Sequence, residues 1–319
     1  MPDGRFAPTP SGELHLGNLR TALLAWLAAK RDGSRFVVRI DDLDVASARP
    51  GAEARQLDDL RTLGLRWDDE LVHQSERTEL YEGAIATLTA AGLTFPCFCT
   101  RREILDAAAA PHGDAPLGAY PGTCRDLSDA ERQAHERSGR PPALRVRTDG
   151  VRVGFVDLVA GTYEGLADDV VVRRNDGTPA YNLAVVVDDA AQGIVEVVRG
   201  DDLLSSTPRQ IHLARLLALP IPAYAHVPLV LGSDGRRLAK RDGPITLTDR
   251  LDRGETVAGL LGAMAASAGL VPAATVLDPD DLGALAAGFS FERVSRTPWT
   301  IDPRQDRPLT RNEPDVSNG

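Results

Sequence analysis

The chain has 319 residues, 43% of them hydrophobic and 26% charged, the balance of a soluble globular protein larger than one minimal domain. No stretch approaches the roughly 18 apolar residues that span a bilayer, and no basic-then-apolar export pattern opens the chain, so no membrane partner and a cytoplasmic location are expected. The formal net charge of −10 argues mildly against a generic nucleic-acid binder, because phosphate contacts need cations; an RNA partner would require the lysines and arginines to gather on one face.

Residues 1–95 read as alternating strands and helices. A short strand is expected over 5–8 and a helix over 17–31, with Leu19, Leu23, Leu24 and Leu27 toward one side. Phe36 to Ile40 suits a buried parallel strand, Pro50 opens a helix carrying Leu57, Leu60 and Leu63, and another helix is expected near 79–91. This alternation predicts an α/β fold with a Rossmann-like, doubly wound parallel sheet.

Residues 96–170 differ. Cysteines, prolines and glycines up to Arg125 suggest an irregular metal-bound α+β insertion, with strands expected at 144–147, 151–156 and 170–174. The parallel-sheet character returns over 171–232. There, 181–187 is ambiguous between helix and strand, 195–199 and 226–231 read as strands, and Thr207-Pro208 starts a helix running through Leu217. Residues 233–296 hold a basic loop and an alanine-rich helical region, and 297–319 form a Pro/Arg/Asp tail expected to be poorly ordered.

Two stretches carry chemistry. Pro8-Thr9-Pro10-Ser11-Gly12-Glu13-Leu14-His15-Leu16-Gly17-Asn18 joins the first strand to the first helix. Its glycines allow a tight loop and the close approach of a ligand, while His15 and the free N–H groups of the helix start suit phosphate. Arg236-Arg237-Leu238-Ala239-Lys240-Arg241-Asp242-Gly243 is a basic loop able to neutralise charge on a departing pyrophosphate. Separately, Cys97, Cys99 and Cys124 lie too close in sequence for a disulfide framework and favour a zinc site, for which chemistry alone nominates His112 as fourth ligand.

His15-Leu16-Gly17-Asn18 and Arg237-Leu238-Ala239-Lys240-Arg241 resemble the two signatures of class I aminoacyl-tRNA synthetases. Arg5-Phe6-Ala7-Pro8-Thr9-Pro10-Ser11-Gly12 resembles the opening of glutamyl-tRNA synthetases, and Arg39-Ile40-Asp41-Asp42-Leu43-Asp44 their Arg-Ile-Glu-Asp-Thr-Asp segment. Asp176-Gly177-Thr178-Pro179-Ala180-Tyr181-Asn182, Arg199-Gly200-Asp201-Asp202 and Thr207-Pro208-Arg209-Gln210 extend the resemblance to about Asp249. Too few helices are expected after Lys240 for a large anticodon-binding region. In that respect, and in its cysteines, the chain is similar to the glutamyl-queuosine tRNA(Asp) synthetases.

The resemblance implies ATP-dependent activation of L-glutamate and its transfer to queuosine of tRNA(Asp), using ATP with Mg²⁺; a monomer is the default expectation. It implies a glutamate pocket of Arg5, Phe6, Ala7, Pro8, Thr9, Asp41, Tyr181 and Arg199, in which the arginines read carboxylates and Asp41 the ammonium. His15, Gly17, Asn18, Arg237 and Lys240 would hold ATP, with His15 and Lys240 catalytic, and Tyr120 would complete a structural zinc site with Cys97, Cys99 and Cys124. Asp42 and Asp44 read as structural. Asp41 stands where the family usually has glutamate, Arg237 where it has lysine, and Ala239 where it has serine. Two other readings remain open: a truncated glutamyl-tRNA synthetase charging a tRNA 3′ end, and a non-catalytic, zinc-stabilised RNA-binding descendant.

Overall fold

A computed structural model gives the fold and describes residues 3–108, 119–238, 243 and 245–302. The first part alternates as β1 (Gly4–Phe6), α1 (Leu16–Lys30), β2 (Phe36–Ile40), α2 (Ala52–Thr62), β3 (Val72–His73), α3 (Thr78–Ala90) and β4 (Thr94–Cys97). Next come α4 (Arg101–Ala108), α5 (Asp129–Arg137), β5 (Ala143–Val146), β6 (Val151–Asp157), β7 (Gly161–Ala167) and β8 (Val171–Arg173). The chain continues through α6 (Tyr181–Ala191), β9 (Glu196–Gly200), α7 (Thr207–Leu216), β10 (Ala223–Val227) and β11 (Val230–Leu231). It closes with α8 (Leu247–Asp252), α9 (Val257–Ser267), α10 (Leu282–Ala287) and β12 (Trp299–Thr300).

Five strands form a parallel sheet in the order β10-β9-β1-β2-β3. The order reverses between β1 and β9, and in such sheets the crevice at the carboxyl ends of those strands is where ligands bind. All five residues of β2 are buried, which explains an apolar run without alternation. Helix α1 is buried nearly all round: Leu16, Leu19, Leu23, Leu24 and Leu27 have no exposed surface, and the main core forms about them with α9 and α10.

Residues 181–187, ambiguous in sequence, form a helix. A run of three valines favours strand locally, but α6 buries Leu183 through Val187 against α3 and α7, and that packing decides. The single strand expected over 226–231 is instead two. Pro228 lacks an N–H and breaks the ladder, so β10 ends at Val227 and β11 starts at Val230 in another sheet.

The insertion carries two small antiparallel units. Strands β4, β5 and β8 make one sheet, and the β6-β7 hairpin packs Phe155 against Tyr224 on β10. Because β8 pairs with β5, this sheet draws strands from both sides of residue 170.

The tail departs from expectation as far as the structure describes it. Trp299–Thr300 pairs with Val230–Leu231, and Ile301 is buried in the main core. Residues 303–319 lie outside the described residues. No helix among the described residues is long and apolar enough to cross a membrane.

Candidate active site

A cavity of about 150 Å³ opens at the switch between β1 and β9. Its walls bring together Arg5, Phe6 and Ala7 from β1, His15, Gly17 and Asn18 from the start of α1, and Asp41 from the end of β2. Tyr181 from α6, Arg199 from β9 and Arg237 from the basic loop complete it. Ten residues separated by up to 232 positions in the chain thus meet where the topology places a ligand. Pro8 and Thr9 are not in this wall. The Pro8 carbonyl accepts the Asp41 N–H at 2.9 Å, which fixes that residue's backbone, and Thr9 faces an adjoining cleft. Lys240 and His112 lie outside the described residues.

His15 is the N-cap of α1. Its Nδ1 accepts the Asn18 N–H at 3.2 Å, while Asn18 Oδ1 accepts the His15 N–H at 3.3 Å, a reciprocal capping box. Burial, reinforced by the nearby Arg237 charge, lowers the His15 pKa from its ordinary 6.5 to about 4. The ring is therefore neutral near pH 7, and an accepting Nδ1 leaves the hydrogen on Nε2 as a donor. Gly17 has a role the sequence did not suggest: a Cβ there would sit 2.9 Å from His15 Cε1, so the glycine makes room for the histidine ring itself.

The two arginines are held differently. Arg5 donates from Nε and Nη2 to the two carboxylate oxygens of Asp189, at 3.3 and 3.4 Å. Asp189 also accepts from Arg39 Nη1 at 2.7 Å, and Arg39 Nε donates to Asp41 Oδ1 at 2.8 Å. Burial raises the Asp41 carboxyl, outweighing the pull of Arg39. Burial works the same way on Asp189, but Arg5 and Arg39 overcome it and hold that carboxyl below its ordinary value. Arg199, in contrast, donates from Nε to His226 Nε2 at 3.0 Å and from Nη2 to Thr207 Oγ1 at 2.8 Å, with its guanidinium 5.2 Å from the Tyr224 ring centre.

Arg237 folds back onto Asp202, Nη1 to Oδ2 at 2.7 Å, and is half exposed. The structural role expected for Asp42 is visible: its carboxylate accepts the Ser75 N–H and hydroxyl at 2.8 and 2.6 Å, at a short helical turn.

The adjoining cleft, about 860 Å³, runs from Asp41 and Tyr181 to Cys97 and Cys99, with Arg101, Arg140, Arg145 and Arg174 in its walls. Asp41 and Asp44 line the same walls, and Arg140 and Arg174 are paired with Glu103 and Asp176. At its far end the sulfurs of Cys97, Cys99 and Cys124 lie within 4.8 Å of one another, and all three cysteines are free. The Tyr120 hydroxyl is 3.4 Å from Cys97 Sγ and accepts the Cys124 N–H at 2.8 Å. Burial opposes the thiolate, but the Tyr120 hydroxyl and the Arg145 guanidinium overcome it and lower the Cys97 thiol. Three clustered sulfurs and a phenol oxygen form a donor set compatible with a tetrahedral structural metal.

Residues 3–260 match the family described as tRNA synthetases class I (E and Q), catalytic domain. The chain belongs to that family. This class I synthetase is 59% identical over 298 residues to a glutamyl-Q tRNA(Asp) synthetase of Nocardia farcinica, covering 93% of this chain and 92% of that one. It is 48% identical to the glutamyl-Q tRNA(Asp) synthetase of Symbiobacterium thermophilum, over 93% of this chain and 95% of the relative. A crystal structure of a glutamate tRNA ligase from Elizabethkingia meningosepticum, in complex with its amino acid, superposes with a TM-score of 0.78 at 26% identity. That likeness covers 93% of this chain and 66% of the ligase.

Sequence reasoning missed the groups behind the wall of this synthetase, Asp188, Asp189, His226 and Asp157, and read Thr207 as a helix start within a family stretch and not as a partner of Arg199. One signal was available. Asp188-Asp189 follows three valines on a helix whose other residues are mostly apolar, and adjacent acids on a buried face need buried cations.

Proposed function

We propose that this chain activates L-glutamate with ATP and transfers the glutamyl group to queuosine in tRNA(Asp). The observation that carries the reading is the meeting of Arg5, Arg199 and Asp41 in one cavity beside His15 at a helix N-terminus. Glutamate brings two carboxylates and an ammonium, and this wall offers two guanidiniums and a carboxylate. The identity to glutamyl-Q tRNA(Asp) synthetases over nearly their whole length supports the acceptor.

In the first step a glutamate carboxylate oxygen attacks the α-phosphorus of ATP, and the bond to pyrophosphate breaks. Arg5, Arg199 and Asp41 would fix the amino acid, with Phe6, Ala7 and Tyr181 packing beside it. His15 Nε2–H would donate to a phosphate oxygen, assisted by Gly17 and Asn18 at the helix start and by Arg237 and Lys240 from the loop. Mg²⁺ accompanies ATP and screens its phosphates. In the second step a queuosine hydroxyl attacks the activated carbonyl, its proton is lost to solvent, and AMP leaves. The arginine-walled cleft leading from Tyr181 would take the RNA. Cys97, Cys99, Cys124 and Tyr120 would hold a structural Zn²⁺ that fixes the cleft's far wall.

Glutamate-dependent ATP–pyrophosphate exchange, with and without tRNA, tests the reading. Exchange without tRNA, followed by labelling of queuosine-containing tRNA(Asp), is expected. Exchange only with tRNA, together with charging of a 3′ end, would favour a truncated glutamyl-tRNA synthetase. Its absence in both conditions would overturn the enzymatic reading.

A further inference from the structure

Arg199 and Arg5 enter the same cavity with different electrostatic histories. Arg5 is paired with Asp189, a carboxylate that it shares with Arg39. Arg199 makes no ion pair among the described residues. The groups that grip it are an imidazole nitrogen, a hydroxyl and an aromatic face, all uncharged.

We infer that His226 and Asp157 are positioning residues that orient Arg199 while leaving its charge free for a glutamate carboxylate, an inference that rests on the glutamate-pocket reading above. An arginine Nε can only donate, so His226 Nε2 accepts and carries no hydrogen, and the Thr207 hydroxyl, 3.1 Å from the same nitrogen, is then a second donor to it. The ring hydrogen is then on Nδ1, which faces Asp157 Oδ2 at 2.6 Å. Asp157 is fixed in turn by the N–H groups of Val159, Ala160 and His226, at 3.0, 2.8 and 3.0 Å from Oδ1. His226 and Asp157 side chains have no exposed surface, so water cannot substitute for either. With Nε and Nη2 held from behind, Nη1 is the nitrogen offered to a carboxylate. Asp157 ends β6, so the hairpin of the insertion reaches Arg199 through His226, beside the contact of Phe155 with Tyr224.

Glutamate binding by calorimetry, run on the full chain with three variants, tests this. His226→Gln can place its carbonyl oxygen where Nε2 sits and keep the acceptor for Arg199. His226→Asn can reach only the Nδ1 position and loses that acceptor. Asp157→Asn keeps an oxygen for the backbone amides but points its NH₂ at Nδ1, forcing the hydrogen onto Nε2 against Arg199. We expect His226→Gln to stay within roughly threefold of the parent Kd and both asparagine variants to weaken it by roughly 10- to 100-fold, with the KM for ATP unchanged. Equal glutamate affinity in His226→Gln and His226→Asn would overturn the inference. The ring tautomer, read from ¹⁵N shifts in the parent protein, tests the relay apart from substrate: an Nε2–H form at His226 would sink it even if glutamate binds. If the tautomer is Nδ1–H and the parent neither binds glutamate nor supports exchange, the proposed function has failed, and with it the role given to Arg199.

Discussion

Arg39 donates to Asp41 at 2.8 Å, and this buried pair is one arm of a cluster in which a single guanidinium faces three carboxylates. Asp188 is satisfied further by Arg77, Gln74 and Tyr81, and Asp189 by Arg5. Removing Arg39 would leave like charges together in a dry interior. Arg39→Met is expected to cost about 3–5 kcal/mol in urea unfolding and to abolish glutamate binding. A cost under about 1 kcal/mol would mean that the acids are held by their other partners alone.

The depressed pKa of His15 couples protonation of its ring to the stability of the fold. Unfolded, the ring titrates near 6.5; folded, near 4. Between those values the unfolded chain binds the proton and the native one does not, so stability is lost as pH falls through that window. An NMR titration should find His15 neutral, with its hydrogen on Nε2, down to about pH 4. A midpoint near 6.5 would place the ring in solvent and remove the argument for a neutral donor.

For the thiol cluster, Cys124→Ser should abolish stoichiometric bound zinc and lower the melting temperature, because metal affinity is part of the folding free energy. Tyr120→Phe should weaken zinc retention against a chelator. Full metal content in Cys124→Ser would refute the site.

Arg237 and Asp202 form an exposed pair, and exposed pairs contribute roughly 0.2–1 kcal/mol. Asp202→Ala is therefore expected to leave the denaturation midpoint nearly unchanged. Lys240→Ala, in the same loop, should lower pyrophosphate exchange by about 10²-fold, the effect of losing one preorganised charge. Normal exchange in that variant would mean the loop does not serve the phosphates.

The sequence made the cavity's rim legible and left its foundations hidden. Arg5, His15, Asp41, Tyr181, Arg199 and Arg237 stand in local patterns, at strand ends and a helix start, so their convergence followed from the doubly wound topology. His226 and Asp157 stand in no pattern: one lies within a short strand, the other at a hairpin corner, and only three-dimensional packing makes them neighbours. The valines of α6 leave helix and strand equally open because local propensity and burial disagree there. The break at Pro228 was legible in principle, since a residue without an N–H cannot continue a paired strand.

Trp299–Thr300 runs beside Val230–Leu231, with the Trp299 N–H donating to the Leu229 carbonyl at 3.2 Å and the Ile301 N–H to the Leu231 carbonyl at 3.0 Å. Leu229 and Val230 belong to the cavity wall, and Leu231 is bridged to Arg237 at the root of the basic loop. The far end of the described chain therefore works as a buttress under the root of the basic loop. Cutting the polypeptide just before Trp299, or loading that point with a fusion, would slacken the loop's footing without touching any residue that meets a substrate.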